Sequence, residues 1–100
     1  MADEEPDTGW ALPAFDPEQG LVQLRRALRD LKLSERGAGF ELRGKAVVQL
    51  AVMDGAIAAR VARRLAVTPE WDRLAASNAS EQRKLVDEIK RRLDRWQGED

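Results

Sequence analysis

The sequence of 100 residues contains no cysteine, no histidine and no tyrosine. The lack of cysteine excludes disulfides, thiolate metal sites and cysteine nucleophiles. The lack of histidine removes the commonest general base and metal ligand. Neither a P-loop nor a dinucleotide-binding fingerprint occurs. We therefore predict that the protein is not an enzyme, that it has no catalytic residues and that it binds neither a cofactor nor a metal.

Long apolar segments are also missing. No apolar run approaches the roughly 18 residues of a membrane span. The first residues have neither the basic nor the apolar region of a secretory signal. These absences predict a cytoplasmic protein that makes no membrane contact. With 43% hydrophobic residues, a chain of 100 residues is expected to form one domain around a single core.

Charge is unevenly distributed, although the net charge is only −1. Residues 1–20 hold six acidic side chains and no basic one, whereas the rest of the chain holds all 17 basic side chains against 12 acidic ones. Thirteen of the 17 are Arg, which suits bidentate contacts with carboxylate or phosphate. Two interpretations stay open, namely an ordinary solvated surface and a basic face that an acidic tail shields.

Residues 1–15 are predicted to form an acidic flexible tail, and residues 16–97 a single small domain. The tail combines its acidic residues with Pro6 and Pro13 and has no sustained hydrophobic period. Two aromatic residues, Trp10 and Phe15, are unusual in such a segment. Either one of them packs on the folded body, or the two form a docking motif for a partner.

The pair Asp54-Gly55 predicts a two-residue turn of type I′ between two β-strands. Residues 40–52 carry most of their apolar side chains at even positions, and after the turn the apolar set falls at odd positions. A type I′ turn pairs Met53 with Ala56. Every directly opposed pair then lies on a shared face, as an antiparallel hairpin requires.

Helices are predicted before and after the strands. Asp16 followed by Pro17 is typical of a helix start, and leucines at spacings of three and four follow it. A second helix is capped either by Asn78 together with Glu81 or by Ser80 alone, and it carries an apolar stripe that ends at Trp96. Residues 70–77 form either a third strand or a loop. The predicted fold class is therefore α+β: a helix, an antiparallel β-hairpin or three-stranded meander, and a helix, with both helices on one face of the sheet.

Residues 57–76 admit a second interpretation. This segment resembles the helix-turn-helix of bacterial repressors, with Ile57 and Val61 at helical spacing. The resemblance implies a DNA-binding unit in which Thr68 caps a recognition helix that bears Arg73. We prefer the hairpin, because it explains more residues with one register.

The polar face of the hairpin is the candidate binding face. Its members are Arg43, Lys45, Gln49, Arg60 and Arg64, interleaved with small apolar residues. We predict a non-catalytic interaction module that forms a homodimer or docks a protein partner through this sheet face or an edge strand. The alternative is a nucleic-acid-binding protein whose cations on this face contact phosphates. Arg63 falls on the apolar face instead, where it either extends to solvent at the strand end or forms an internal ion pair.

Overall fold

The computed structural model describes residues 14–98, so residues 1–13 of the predicted tail lie outside it. The elements in chain order are α1 (Pro17–Asp30), β1 (Ser34–Arg36), β2 (Gly39–Leu42), β3 (Lys45–Met53), β4 (Ala56–Ala62), β5 (Trp71–Ala76) and α2 (Ala79–Gly98). All these strands form one antiparallel sheet in the order β1-β2-β3-β4-β5. The α+β class is confirmed, and the sheet is larger than the hairpin or meander predicted.

The hairpin formed by β3 and β4 has the predicted register. Met53 pairs with Ala56 and Leu50 pairs with Ala59. Asp54 and Gly55 both have positive φ, at 53° and 74°. That pair of conformations is what a type I′ turn requires, and its twist matches the twist of the two strands.

The helix-turn-helix interpretation of residues 57–76 is wrong. Both segments that it assigned to helices are strands, β4 and β5, and they pair with each other. Ile57, Ala59 and Val61 are all buried in the core. Alternate burial of this kind stabilises a strand, and here it outweighs the helix propensity of the alanines between them.

Both predicted helix starts are confirmed by their caps. The Asp16 Oδ1 atom accepts the backbone N–H of Glu18 at 3.1 Å, and Pro17 opens α1 as expected. The Asn78 Oδ1 atom accepts the N–H of Glu81 at 2.8 Å. These bonds satisfy N–H groups that have no partner inside the first turn of a helix.

One apolar core joins the helices to the sheet. α1 contacts β3, β4 and α2, while α2 contacts β5 and α1. The largest fully buried side chains are Trp96, Phe40, Leu24, Leu28, Ile57 and Ile89. Burying each aliphatic or phenyl side chain among them contributes roughly 1.5–3 kcal/mol before entropy is subtracted. Neither α1 nor α2 is both long and apolar enough to cross a membrane.

A β-bulge separates the two ends of β3. Phe40 pairs with Val48, but the next residue, Glu41, pairs with Ala46, so Val47 is an extra residue on β3. An extra residue shifts the alternation of side chains between the two faces by one position. Both Val47 and Val48 are fully buried, in agreement with this shift.

Gly39 permits the close approach of β2 to β3. A Cβ atom at this position would lie 2.5 Å from the carbonyl oxygen of Val48, a backbone atom that cannot move independently of the sheet. We expect Gly39→Ala to lower the free energy of unfolding by about 1–3 kcal/mol, as overpacking does. Urea denaturation of both proteins measures the difference.

Gly98→Ala is the matched control, because a Cβ atom there meets nothing within 4 Å among the described residues. We expect this substitution to leave stability nearly unchanged. Equal stability of Gly39→Ala and the unsubstituted protein would contradict the close approach.

Candidate functional site

One face of β3, β4 and β5 carries rows of side chains that cross all three strands. Gln49 pairs with Arg60, which pairs with Arg73 on the far side. The next row consists of alanines, because Ala58 pairs with an alanine on either side. Directly paired residues of a sheet share a face. We call the surface formed by Gln49, Ala51, Met53, Ala58, Arg60, Arg73 and Ala75 the outer face.

The outer face is exposed, and only small side chains lie at its centre. Met53 is 60% exposed, which is high for a large apolar side chain. A depression of about 560 Å³ lies over the alanine row, and Ala38 and Leu74 also line it. Small side chains at the centre leave room for another surface to approach the sheet.

Only two of the five predicted binding residues lie together on this face, namely Gln49 and Arg60. Lys45 pairs with Leu42, which shares a face of β2 with the buried Phe40. The bulge in β3 is the cause, since it reverses the alternation before Lys45 reaches the outer face.

The remaining two predicted residues lie outside the strands. Arg43 occupies the turn between β2 and β3 with a φ of 55°, and Arg64 follows the end of β4. The prediction missed Arg73 as a member of the face. The alternative prediction of a three-stranded meander could have identified Arg73, because a strand over residues 71–76 places Arg73 next to Arg60.

Arg63 forms an ion pair, but its side chain is 58% exposed, so the pair lies at the surface and is not the internal pair of the second interpretation. Its Nε atom lies 2.7 Å from Oδ1 of Asp72 on β5, and Nη1 of Arg92 lies 2.9 Å from Oδ2 of the same carboxylate. The Arg92 Nε atom also donates to Glu88 at 2.7 Å, and its Nη1 donates to the carbonyl of Val61 at 3.3 Å. This network connects α2 with the ends of β4 and β5.

The network also sets the charge state of its carboxylates. The hydrogen bond from Arg63 lowers the pKa of Asp72; desolvation opposes this shift, and Arg92 adds to it. The hydrogen bond from Arg92 lowers the pKa of Glu88, again against desolvation. The side chain of Arg92 is only 11% exposed, so it is committed to these contacts. Arg63 and Arg92 therefore stabilise the fold and contribute little to an external anion site.

A second ionic cluster fastens β1 to α1. Glu35 lies 2.6 Å from Nη1 of Arg25 and 2.8 Å from Nη1 of Arg29. The hydrogen bonds from Arg25 and Arg29 lower the pKa of Glu35, although desolvation acts in the opposite direction. Two more of the 13 arginines are thus engaged within the fold.

The structure describes only one of the two residues of the predicted docking motif. Trp10 lies outside the described residues. Phe15 is partly buried and packs against the core. Its ring reaches Gly20, where an added Cβ atom would lie 3.2 Å from Cζ of Phe15. Phe15 is therefore part of the folded body.

Asp72→Asn tests the network through its pH dependence. Because the pKa of Asp72 is lower in the folded chain than in the unfolded chain, its ionised form stabilises the fold above the unfolded pKa. That stabilisation is lost as the pH falls through the folded pKa, that is, below about pH 4. We expect the free energy of unfolding to fall less on acidification in Asp72→Asn than in the unsubstituted protein, and to be lower near neutral pH.

Urea unfolding at several pH values, followed by circular dichroism, measures both effects. Asp87→Asn is the control, since Asp87 forms no ion pair with any of residues 14–98. Identical pH dependence in Asp72→Asn and the unsubstituted protein would contradict the assigned role of Asp72.

Within residues 14–98, no cluster of three or more acidic side chains could hold a metal ion. The candidate binding site is thus the outer face, which has a row of polar and cationic side chains along one side. No protein-family model, no curated protein and no solved structure matches this chain.

Proposed function

We propose that the protein is a small non-catalytic interaction module that self-associates by stacking its outer face on that of a second copy. The observation that supports this most is the row formed by Ala51, Ala58 and Ala75, which crosses three strands of an exposed face beside Met53. Exposed apolar surface of this kind favours association with a second surface. The proposal includes both helices on the opposite face, and the contacts of α1 and α2 with each other support that arrangement.

Charge favours one geometry for the dimer. A two-fold axis along the alanine row would place the Gln49–Arg60–Arg73 row of each copy over the hairpin turn of the other. Arg60 would then lie near Asp54 of the second copy, and the two cationic rows would lie far apart. An axis along the strands would oppose Arg60 to Arg60 and is disfavoured by like-charge repulsion. The first arrangement is self-complementary, as a two-fold interface must be.

The size of the outer face limits the affinity. Three strands spaced about 4.8 Å apart, with β3 as the longest, give a patch of roughly 14 by 30 Å. This patch is smaller than the ~800 Å² that each partner buries in a standard stable interface. We therefore propose a transient dimer whose population depends on protein concentration.

Ala58→Glu tests the proposal. A carboxylate in the middle of the alanine row would oppose its own copy across the two-fold axis and would lose its solvent, so dimerisation should be abolished. Ala79→Glu is the matched control, because Ala79 is exposed in the first turn of α2, where an added carboxylate is favourable. Sedimentation velocity over a wide range of concentrations measures the oligomeric state. A monomer at every concentration in the unsubstituted protein would contradict the proposal.

The alternative function, nucleic-acid binding through a basic sheet face, has less geometric support. On this side of the sheet, the described cations of the strands are Arg60 and Arg73 on the outer face and, at the end of the same row on β1, Arg36, which lies 3.8 Å from Glu41. Six arginines outside the outer face are engaged in ion pairs: Arg25, Arg29, Arg36, Arg63, Arg91 and Arg92. Two phosphate contacts would give weak binding with a shallow dependence on salt.

A titration against duplex DNA, duplex RNA and single strands at low and moderate salt distinguishes the two functions. We expect no binding that survives moderate salt, because too few cations converge on the face. Tight binding that Arg60→Ala and Arg73→Ala both weaken would favour the alternative. Dimerisation is measured in the same buffers, so that the two readouts can be compared.

A further inference from the structure

β5 leaves one edge of its backbone unpaired. The N–H of Arg63 donates to the carbonyl of Glu70 at 2.9 Å, just before β5 begins. Hydrogen-bonded and non-hydrogen-bonded pairs alternate along an antiparallel ladder, so every second residue from Glu70 onward bonds to β4. The residues between them are Trp71, Arg73 and Ala75. Their N–H and C=O groups therefore point to the open side of the sheet.

The opposite edge of the sheet is closed to a further strand. β1 has only three residues, all exposed, and Glu35 at its centre is held by Arg25 and Arg29. Short, charged edges discourage pairing with another chain. β5 is twice as long, and it contains neither proline nor lysine. The edge of β5 is thus the better place for strand addition.

A groove runs between the open edge of β5 and α2. It encloses about 480 Å³, with Leu74 and Ala75 on the strand side and Leu85 on the helix side. Asp87 of α2 also lines it, and so do two glutamates of the same helix, Glu81 and Glu88. An edge strand beside a helix is a recurring site for an extended peptide, because the strand supplies backbone hydrogen bonds and the helix supplies side-chain contacts.

Both glutamates already accept hydrogen bonds within the chain. The Glu81 Oε1 atom accepts the N–H of Ser77 at 2.7 Å. Glu88 accepts the Nε–H of Arg92 at 2.7 Å and lies 3.4 Å from Arg91. Glu88 is thus committed to two cations of α2, whereas the hydrogen bond from the neutral N–H of Ser77 leaves the negative charge of Glu81 in place.

Two cations near the groove have no ion-pair partner among the described residues. Lys84 on α2 and Arg73 on β5 form no ion pair with any described residue, and both are exposed. Asp87 and Glu81 line the groove and likewise form no ion pair with a described residue. Arg73 is paired with Arg60 and therefore lies on the outer face, away from these two carboxylates. A ligand with a carboxylate beside Arg73 would therefore be favoured over one with an ammonium group there.

The position of α2 argues against β5 of a second copy as the occupant. α2 packs chiefly on β5 itself. Two β5 strands paired edge to edge would lie about 4.8 Å apart, whereas packed helices need 8–10 Å between their axes. The two α2 helices would collide. A strand without a helix above it avoids this collision.

We propose that the groove binds an extended segment of a partner protein, which adds a strand to β5 alongside α2. Its backbone would exchange hydrogen bonds with Trp71, Arg73 and Ala75. Because side chains alternate along a strand, apolar residues would contact Leu74 and Leu85, and an acidic residue on the other side would lie beside Arg73. This site adjoins the outer face and shares Arg73 and Ala75 with it, but neither proposal depends on the other.

The probe is a fluorescein-labelled peptide, Ser-Val-Glu-Val-Thr-Val-Glu, in which valines alternate with polar residues. Two isomers of this peptide each carry three backbone N-methyl groups. One isomer has them at its third, fifth and seventh residues, and the other at its second, fourth and sixth residues. Only one set of amides can face β5. We expect one isomer to bind the full-length protein like the parent peptide, and the other to bind at least about tenfold more weakly by fluorescence anisotropy. No binding of the parent, or equal loss in both isomers, would overturn the proposal.

Substitutions in the protein locate the site. Ala75→Pro removes an N–H that points to the open edge and leaves the ladder with β4 intact, so it should abolish peptide binding. Arg73→Glu should weaken binding of the parent peptide and favour a peptide that carries Lys in place of the first of its two Glu residues. Ala58→Glu lies off the edge and should leave peptide binding unchanged, even where it abolishes dimerisation.

Amide chemical shifts in the ¹⁵N-labelled full chain provide the independent measurement, which stands even if Ala75→Pro does not fold. We expect the peptide to shift the amides of Trp71, Arg73 and Ala75 most. Shifts confined to Ala51 and Ala58 would place the peptide on the outer face and would overturn the edge site.

Discussion

The pairing of β3 with β4 is the constraint on which the rest of the structure depends. The turn at Asp54 and Gly55 holds both residues at positive φ, and it fixes which residue opposes which along the hairpin. A slip of one residue would exchange the buried and exposed side chains of one strand relative to the other. The same register that buries Leu50 against Ala59 therefore directs Gln49 and Arg60 to the outer face.

Ion pairs decide which of the many arginines are available to a ligand. The carboxylate of Asp72 forms ion pairs with both Arg63 and Arg92, so the charges at this end of the sheet stabilise the contact between α2 and β5. Glu35 plays the corresponding role at β1 and at the same time protects that edge. Arg73 has no such partner among the described residues, and it borders both the outer face and the open edge of β5. The two proposed surfaces consequently meet at one cation.

The sequence by itself determined the features that depend on neighbouring residues. The hairpin register follows from two turn residues and a period of two, because a type I′ turn allows only one pairing of its flanks. The starts of α1 and α2 follow from Asp16 and Asn78, since a capping side chain bonds to N–H groups two or three residues ahead. In each case the physical cause lies within a few positions of its effect.

Only the tertiary structure decided which charged residues share a surface. The bulge at Val47 reverses the alternation of β3 and separates Lys45 from the predicted face, and β2 must be in place to create it. Arg73 joins Arg60 because β5 returns to pair with β4 after an eight-residue connection. Arg63 and Arg92 converge on Asp72 from different elements. These arrangements depend on contacts between distant parts of the chain, which hydrophobic periodicity does not encode.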